Sequence, residues 1–256
     1  MAGALAGKVA IVTGGGTGIG RAIAALFVAE GARVVIAGRK ADVLEAAARA
    51  IGAQAHVADV TVEAEAERLI GETVARFGGL DILVNNAGIT GPVAKAEALD
   101  IAAFEETMSI NVRGTMLCIK HAVPALRARG GGSIINMSSL MGLRGSTPMR
   151  TAYTASKFAV IGLTEVVAQE VGADRIRVNA LCPGAVNGEL MERVIAARSV
   201  AEGRPPEEVI RVHYTDKAAL RRWVEPEEVA AAALFLASDA SAAVTGERIR
   251  VDAGRA

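Results

Sequence analysis

The chain has 256 residues, 28 of them Lys or Arg and 28 Asp or Glu, so its formal charge is zero, and 52% of it is hydrophobic. No basic strip stands out for a phosphate backbone, which argues against a nucleic-acid partner, and no apolar run approaches the ~18–20 residues of a membrane span. The length suits a single domain with a large core.

Strands and helices alternate from the start. The opening MAGALAGKVAIVTGG has no basic segment ahead of an apolar core, so it reads as a strand entering a turn and not as a signal peptide. That strand, KVAIVTG, runs into TGGGTGIGRA (Thr13 to Ala22) and a helix over 18–31. Gly14, Gly18 and Gly20 allow a tight turn and close backbone approach, and the helix start offers free N–H groups to a pyrophosphate. A glycine-rich turn alone is a weak sign. On the first strand–helix turn of a βαβ chain it reads as a nucleotide site, with Gly14, Thr17, Gly18, Ile19 and Gly20 as the contacts.

The second strand, RVVIAGRK, ends at Gly38, Arg39 and Lys40. An acid here would hydrogen-bond a ribose 2′-OH and favour NAD. None is present, and Arg39 could pair with a 2′-phosphate, so the reading leans to NADP. The plain alternative is a surface arginine leading into the next helix, and Thr17 leaves the glycine turn without a base to help hold the phosphate.

Four more strands follow, QAHVAD, DILVNNAG, SIINMSS and IRVNALCPG, set among helical segments at 41–51, 62–77, 101–128 and 153–172. PEEVAAAALFLAS gives a last helix and Glu247 to Val251 a last strand. Continuously apolar strands suggest a sheet covered on both faces. Their order gives an α/β fold, a doubly wound parallel sheet of Rossmann type with about seven strands flanked by helices. No linker divides residues 1–256, which are taken as one domain. Ligands of such sheets lie outside the carboxyl ends of the strands, where strand order reverses.

Cys118 and Cys182 stand alone and His56, His121 and His213 have no metal-ligand spacing, so the expectation is free thiols, no metal and a reducing, cytoplasmic compartment. The sequon at Asn136 falls in an expected buried strand and is read as chance. In AYTASKF, Tyr153 and Lys157 share one helical face, about 5–6 Å apart at Cβ. Two surface polar residues at a helix start would look the same.

Taken together, TGGGTGIG at 13–20, DV at 59–60, NNAG at 85–88, SINV around Asn111, NMSS, YTASK at 153–157 and CPG at 182–184 resemble the short-chain dehydrogenase/reductase family over the whole chain. The resemblance implies hydride transfer between a nicotinamide cofactor and a secondary alcohol or ketone, with Tyr153 as general acid/base. A free tyrosine has pKa ~10, and bringing it to ~7 takes about 4 kcal/mol, to which Lys157 and an oxidised nicotinamide ring could contribute. Lys157 would also hold the nicotinamide ribose, Ser139 would bind the substrate oxygen in preference to Ser138, and Asn111 would hold a water linking Lys157 to solvent. Without the family match, Asn111 reads as an N-cap or a core amide. Asp59 and Val60 would meet the adenine, Asn86 the adenosine ribose, and Pro183, Gly184 and Val186 the nicotinamide side, although Asp59 could equally be a helix N-cap.

Two departures stand out. Ser139 precedes Tyr153 by 14 residues, one more than is usual in the family, so LMGLRGSTPMR should bulge beside the substrate. Gly188 stands where many relatives have a threonine. The family implies a substrate lid at about 185–224, with specificity there and at 89–95 and 140–150. Its arginines, Arg193, Arg198, Arg204, Arg211, Arg221 and Arg222, are interleaved with acids and read as solvated helix faces more readily than as an anion site. The helix from Tyr153 carries apolar residues nearly all round, which suggests cover on two sides and, with the family, a homotetramer.

Overall fold

In the computed structural model, residues 3–145 and 147–255 are described; Met1 and Ala2 of the opening stretch, Ser146 of the 140–150 segment and Ala256 lie outside the described residues. The strands are β1 (Val9–Thr13), β2 (Arg33–Gly38), β3 (Gln54–Val57), β4 (Ile82–Asn85), β5 (Gly132–Met137), β6 (Ile176–Pro183) and β7 (Arg248–Val251). They form one seven-stranded sheet in the order β3-β2-β1-β4-β5-β6-β7, with every pair parallel. Strand order reverses between β1 and β4, so the predicted crevice lies at Thr13 and Asn85.

Neighbouring strand residues go to opposite faces. Ala10, Val12, Ile36 and Val84 pack with Ile23 and Phe27 of α1 (Gly18–Ala29), Leu44 of α2 (Ala41–Ile51) and a helix near the C-terminus. Ile11, Val35 and Leu83 pack on the other face with Leu69 and Ile70 of α3 (Glu63–Phe77) and with two further helices described next. Each large side chain fully buried in this way contributes about 1.5–3 kcal/mol. The expected cover on both faces holds for the inner strands. It fails for β3, which is largely exposed because it is an edge strand with a partner on one side only.

The expected 101–128 helix is two helices, α4 (Ile101–Met108) and α5 (Gly114–Arg129), joined by a π-helical turn over Ser109–Arg113. α6 (Thr151–Val171) starts two residues earlier than periodicity suggested. Segment 185–224 holds α7 (Glu189–Glu202) and α8 (Pro206–His213) around a small core of Ile195, Val209 and Tyr214. Its two ends meet, because Asn187 N–H donates to the Val224 carbonyl at 2.8 Å and Val224 N–H to that of Ala185 at 3.1 Å. The last helix is α9 (Pro226–Ala237). Among the described residues no helix is long and apolar enough to cross a membrane.

Candidate active site

All seven strands run the same way, so every predicted site residue at a strand end falls along one edge of the sheet. At the crevice the buried Thr13 hydroxyl donates to the Val84 carbonyl at 3.3 Å and accepts the N–H groups of Asn86 and Ala87 at 3.0 Å each, locking β1 to β4. Asn86 Nδ2 donates to the carbonyls of Thr13 at 3.0 Å and Gly14 at 3.2 Å. This amide therefore shapes the glycine turn, a role the sequence did not suggest. Gly14 sits at φ +65° and Gly18 at +50°, a region that favours glycine. A Cβ on Gly20 would lie 2.3 Å from the Gly14 carbonyl oxygen. The turn thus leaves the start of α1, from the exposed Thr17 through half-buried Ile19, open for a phosphate, with no acid in its first turn. These residues fit a dinucleotide.

Gly38 ends β2, and the following Arg39 is exposed. Its guanidinium is 3.9 Å from Asp59. Asp59 accepts the Thr61 N–H at 2.9 Å and hydroxyl at 2.8 Å. Burial opposes its charge, but these bonds and Arg39 hold its carboxyl below the usual value. It caps a turn two residues long, while the residue at the N-cap of α3 is Val62. Val60 is buried against Gly114 of α5.

At the end of β5 the two serines part. Ser138 donates to the Lys157 carbonyl at 2.9 Å, a structural bond to α6. The Ser139 hydroxyl stands beside the Tyr153 phenol and favours its ionised form. Lys157 is buried, its Nζ donating to the Met137 carbonyl at 2.8 Å and lying 5.6 Å from the Tyr153 ring centroid. Two of its three protons remain for a ribose. Burial brings its pKa down to about 8, with the Cys182 thiol opposing. The Tyr153 phenol is pushed up by burial, against which Ser139 and the charge of Arg150 act. The nearer cation is Arg150, 5.0 Å from the ring centroid; sequence reasoning missed it, although it stands three residues before the tyrosine.

Asn111 lies in the π-helical turn. Its Oδ1 accepts the Ile89 N–H at 2.8 Å, and its Nδ2 donates to the Ile89 carbonyl and to Ser156 Oγ, both at 2.9 Å. The side chain is thus an amide paired on both its oxygen and its nitrogen within the fold. Gly88 brings it close to the lysine: a Cβ there would lie 3.0 Å from Asn111 Oδ1 and 3.6 Å from Lys157 Nζ.

Pro183 closes β6, and Gly184 N–H donates to the Val251 carbonyl at 3.0 Å. Val186 bridges to Val224. Asn187, beside Gly188, donates to Glu225 at 3.2 Å. Between Ser139 and Tyr153, the chain makes a 3-10 turn at Leu140–Gly142 and reaches α6 through Met149, a non-glycine at φ +66°. Ser139, Leu140, Met141, Arg144, Thr147, Gly184, Lys217 and Arg255 surround a cavity of about 160 Å³. A depression of about 420 Å³ along the β3 edge, near Gln54, His56 and Glu72, holds none of these residues.

The six arginines of segment 185–224 each have an acid within reach: Arg193 with Glu189, Arg198 and Arg204 with Glu202, Arg211 and Arg221 with Asp216, Arg222 with Glu228. Five are on the solvated, paired faces that their spacing suggested; Arg198 is largely buried and lies 3.0 Å from His213 Nδ1.

A family model described as enoyl-(acyl carrier protein) reductase matches residues 14–256. The chain is 40% identical to a 2,5-dichloro-2,5-cyclohexadiene-1,4-diol dehydrogenase of Sphingobium indicum, over 98% of this chain and 97% of that protein. It is 39% identical to a cis-4-hydroxycyclohexanecarboxylate dehydrogenase of Sinomonas cyclohexanicum, over 99% and 98%. The crystal structure of levodione reductase superposes with a TM-score of 0.91 at 33% identity, covering 98% of both chains. With a parallel seven-stranded sheet and a tyrosine–lysine pair at its crevice, the chain belongs to the short-chain dehydrogenase/reductase family and is an oxidoreductase of alcohol and ketone substrates.

Proposed function

We propose that the chain is an NADP-preferring enzyme in which Tyr153 exchanges the proton of the substrate oxygen. The observation that carries this reading is the buried Lys157 ammonium 5.6 Å from the Tyr153 ring centroid, with Ser139 favouring the ionised phenol. Gly14, Thr17, Gly18, Ile19 and Gly20 would hold the pyrophosphate, and Asp59 and Val60 the adenine end. Lys157 would hold the nicotinamide ribose, with Pro183, Gly184 and Val186 on the nicotinamide side. The cofactor supplies the hydride and, when oxidised, a positive charge. Ser139 orients the substrate oxygen. Tyr153, protonated at neutral pH, donates to that oxygen in ketone reduction and must be ionised to accept from it in alcohol oxidation.

The NADP preference is supported by the missing acid at Gly38 and by exposed Arg39, whose long pairing with Asp59 is weak enough to give way to a phosphate. A homotetramer is supported by the exposed apolar Phe158 and Val166 of α6 and Met116 of α5, left over after the monomer core is complete. A cytoplasmic site of action is supported by two buried free thiols. The ends of segment 185–224 meet beside Gly184, which suits a lid.

Titration with NADPH and NADH, followed by nicotinamide fluorescence, tests the cofactor reading; tighter NADH binding would overturn it. Tyr153→Phe should lower turnover roughly 10²–10⁴-fold with cofactor affinity intact. An α,β-unsaturated ketone should give the allylic alcohol. A saturated ketone would favour the enoyl reduction named by the family model.

A further inference from the structure

Three cations line the cavity that opens at Ser139, and no carboxylate lines it. Among the described residues none of Arg144, Lys217 and Arg255 has an acid within ion-pair distance, whereas all six arginines of segment 185–224 do. The neighbouring acids are occupied: Asp252 holds Arg250, and Asp216 holds Arg211 and Arg221. Arg144 donates to the Arg255 carbonyl at 3.3 Å, and its Nε is buried without a hydrogen-bond partner. Arg255 is fixed by a 2.9 Å bond to the His213 carbonyl and by the Tyr214 ring, 5.1 Å away. Packing like charges together and leaving a buried donor unmade is unfavourable unless an anion completes the arrangement. Burial, with the like charges of Arg144 and Arg198, holds Arg255 below the ordinary guanidinium value, while the Tyr214 phenol and Asp252 act in the opposite sense.

We propose, resting on the oxidoreductase reading above, that the substrate is a hydroxy acid or oxo acid whose carboxylate is received by Arg144, Lys217 and Arg255 while its reacting carbon lies at Ser139 and Tyr153. Leu140 and Met141, which also line the cavity, suit the carbon skeleton between the two ends. A volume of about 160 Å³ holds a small acid, about five water molecules' worth of space. The extra residue between Ser139 and Tyr153 lengthens the loop that delivers Arg144 and Thr147 to this cavity.

The test is binding of cyclohexanecarboxylate and of cyclohexanecarboxamide, equal in shape and different in charge. The readout is the single tryptophan, Trp223, which stacks on Tyr214 at 5.2 Å. The acid is expected to bind at least tenfold more tightly than the amide at pH 7. Arg144→Met should remove that advantage and leave amide binding within threefold. Lys217→Met, at an exposed position, is expected to remove part of it, and serves if Arg144→Met does not fold. Equal binding of the two probes, binding of neither, or an acid advantage that survives both substitutions overturns the proposal and leaves these cations to solvent. Neither probe has a group to oxidise or reduce, so loss of turnover with ketones bears on the oxidoreductase reading alone.

Discussion

Arg150 covers the Tyr153 ring from 5.0 Å, with its Nε and Nη1 buried and without hydrogen-bond partners among the described residues. A guanidinium so placed acts on the phenol by charge alone. Its positive charge favours the ionised phenol, against the burial that disfavours it.

Arg150→Met should therefore make the phenol harder to ionise. The limb of the kcat/KM profile for alcohol oxidation that rises with pH should move upward. Arg150→Lys should restore part of the shift. A lower rate at every pH with the limb unmoved would mean that Arg150 only packs. Burial of an unpartnered charge is costly, so the Met variant should also unfold no more easily than the parent at pH 7.

Lys157 carries a second charge at a cost to the fold. Its pKa falls from 10.5 unfolded to about 8 folded, so between these values the unfolded chain binds the extra proton and stability rises with pH. Below pH 8 the full penalty applies, on the order of 3 kcal/mol at 1.36 kcal/mol per unit, offset by the bond to the Met137 carbonyl. Lys157→Met should abolish turnover yet equal or exceed the parent in urea midpoint at pH 7. The advantage should shrink towards pH 10.

Asn111→Ala leaves the Ile89 N–H and carbonyl without their partner. A loss of about 1–3 kcal/mol in denaturant unfolding is expected, together with faster amide exchange around Ile89. An unchanged midpoint would show that water replaces the amide.

Two glycines of the turn should separate by mechanism. Gly20→Ala drives a Cβ into backbone 2.3 Å away, whereas at Gly18 the space is open and only the positive φ resists. NADPH affinity should fall roughly tenfold or more in the first and less in the second. Equal losses would mean that the turn yields freely at Gly20.

The motifs visible in the sequence are those built locally. Glycine spacing, the Tyr153–Lys157 pair and the end of β2 each lie within one strand–turn–helix unit, where periodicity and turn chemistry speak directly. What the sequence hid depends on distant contacts. The exposure of β3 follows from its place at the sheet edge, which order along the chain does not disclose. The π-helical turn leaves no mark in the apolar spacing of 101–128. Arg144, Lys217 and Arg255 come from three separate segments and meet only in the folded chain. Conversely, the arginines of segment 185–224 were conspicuous in the sequence, and their acids answer them.

The hydrogen bonds joining Ala185, Asn187 and Val224 bring the ends of a long excursion to one point, and between them Ala219 and Leu220 donate to the carbonyls of Gly254 and Ala253, just past β7. Segment 185–224 is in effect a cassette with three attachments: an exchange that keeps its two ends and the ties at Ala219 and Leu220 should leave the register of β6 and the start of α9 in place. A scaffold holding fixed chemistry at Tyr153 can in this way have one wall of its substrate cavity, the one that carries Lys217, rebuilt by replacing a single continuous stretch of chain.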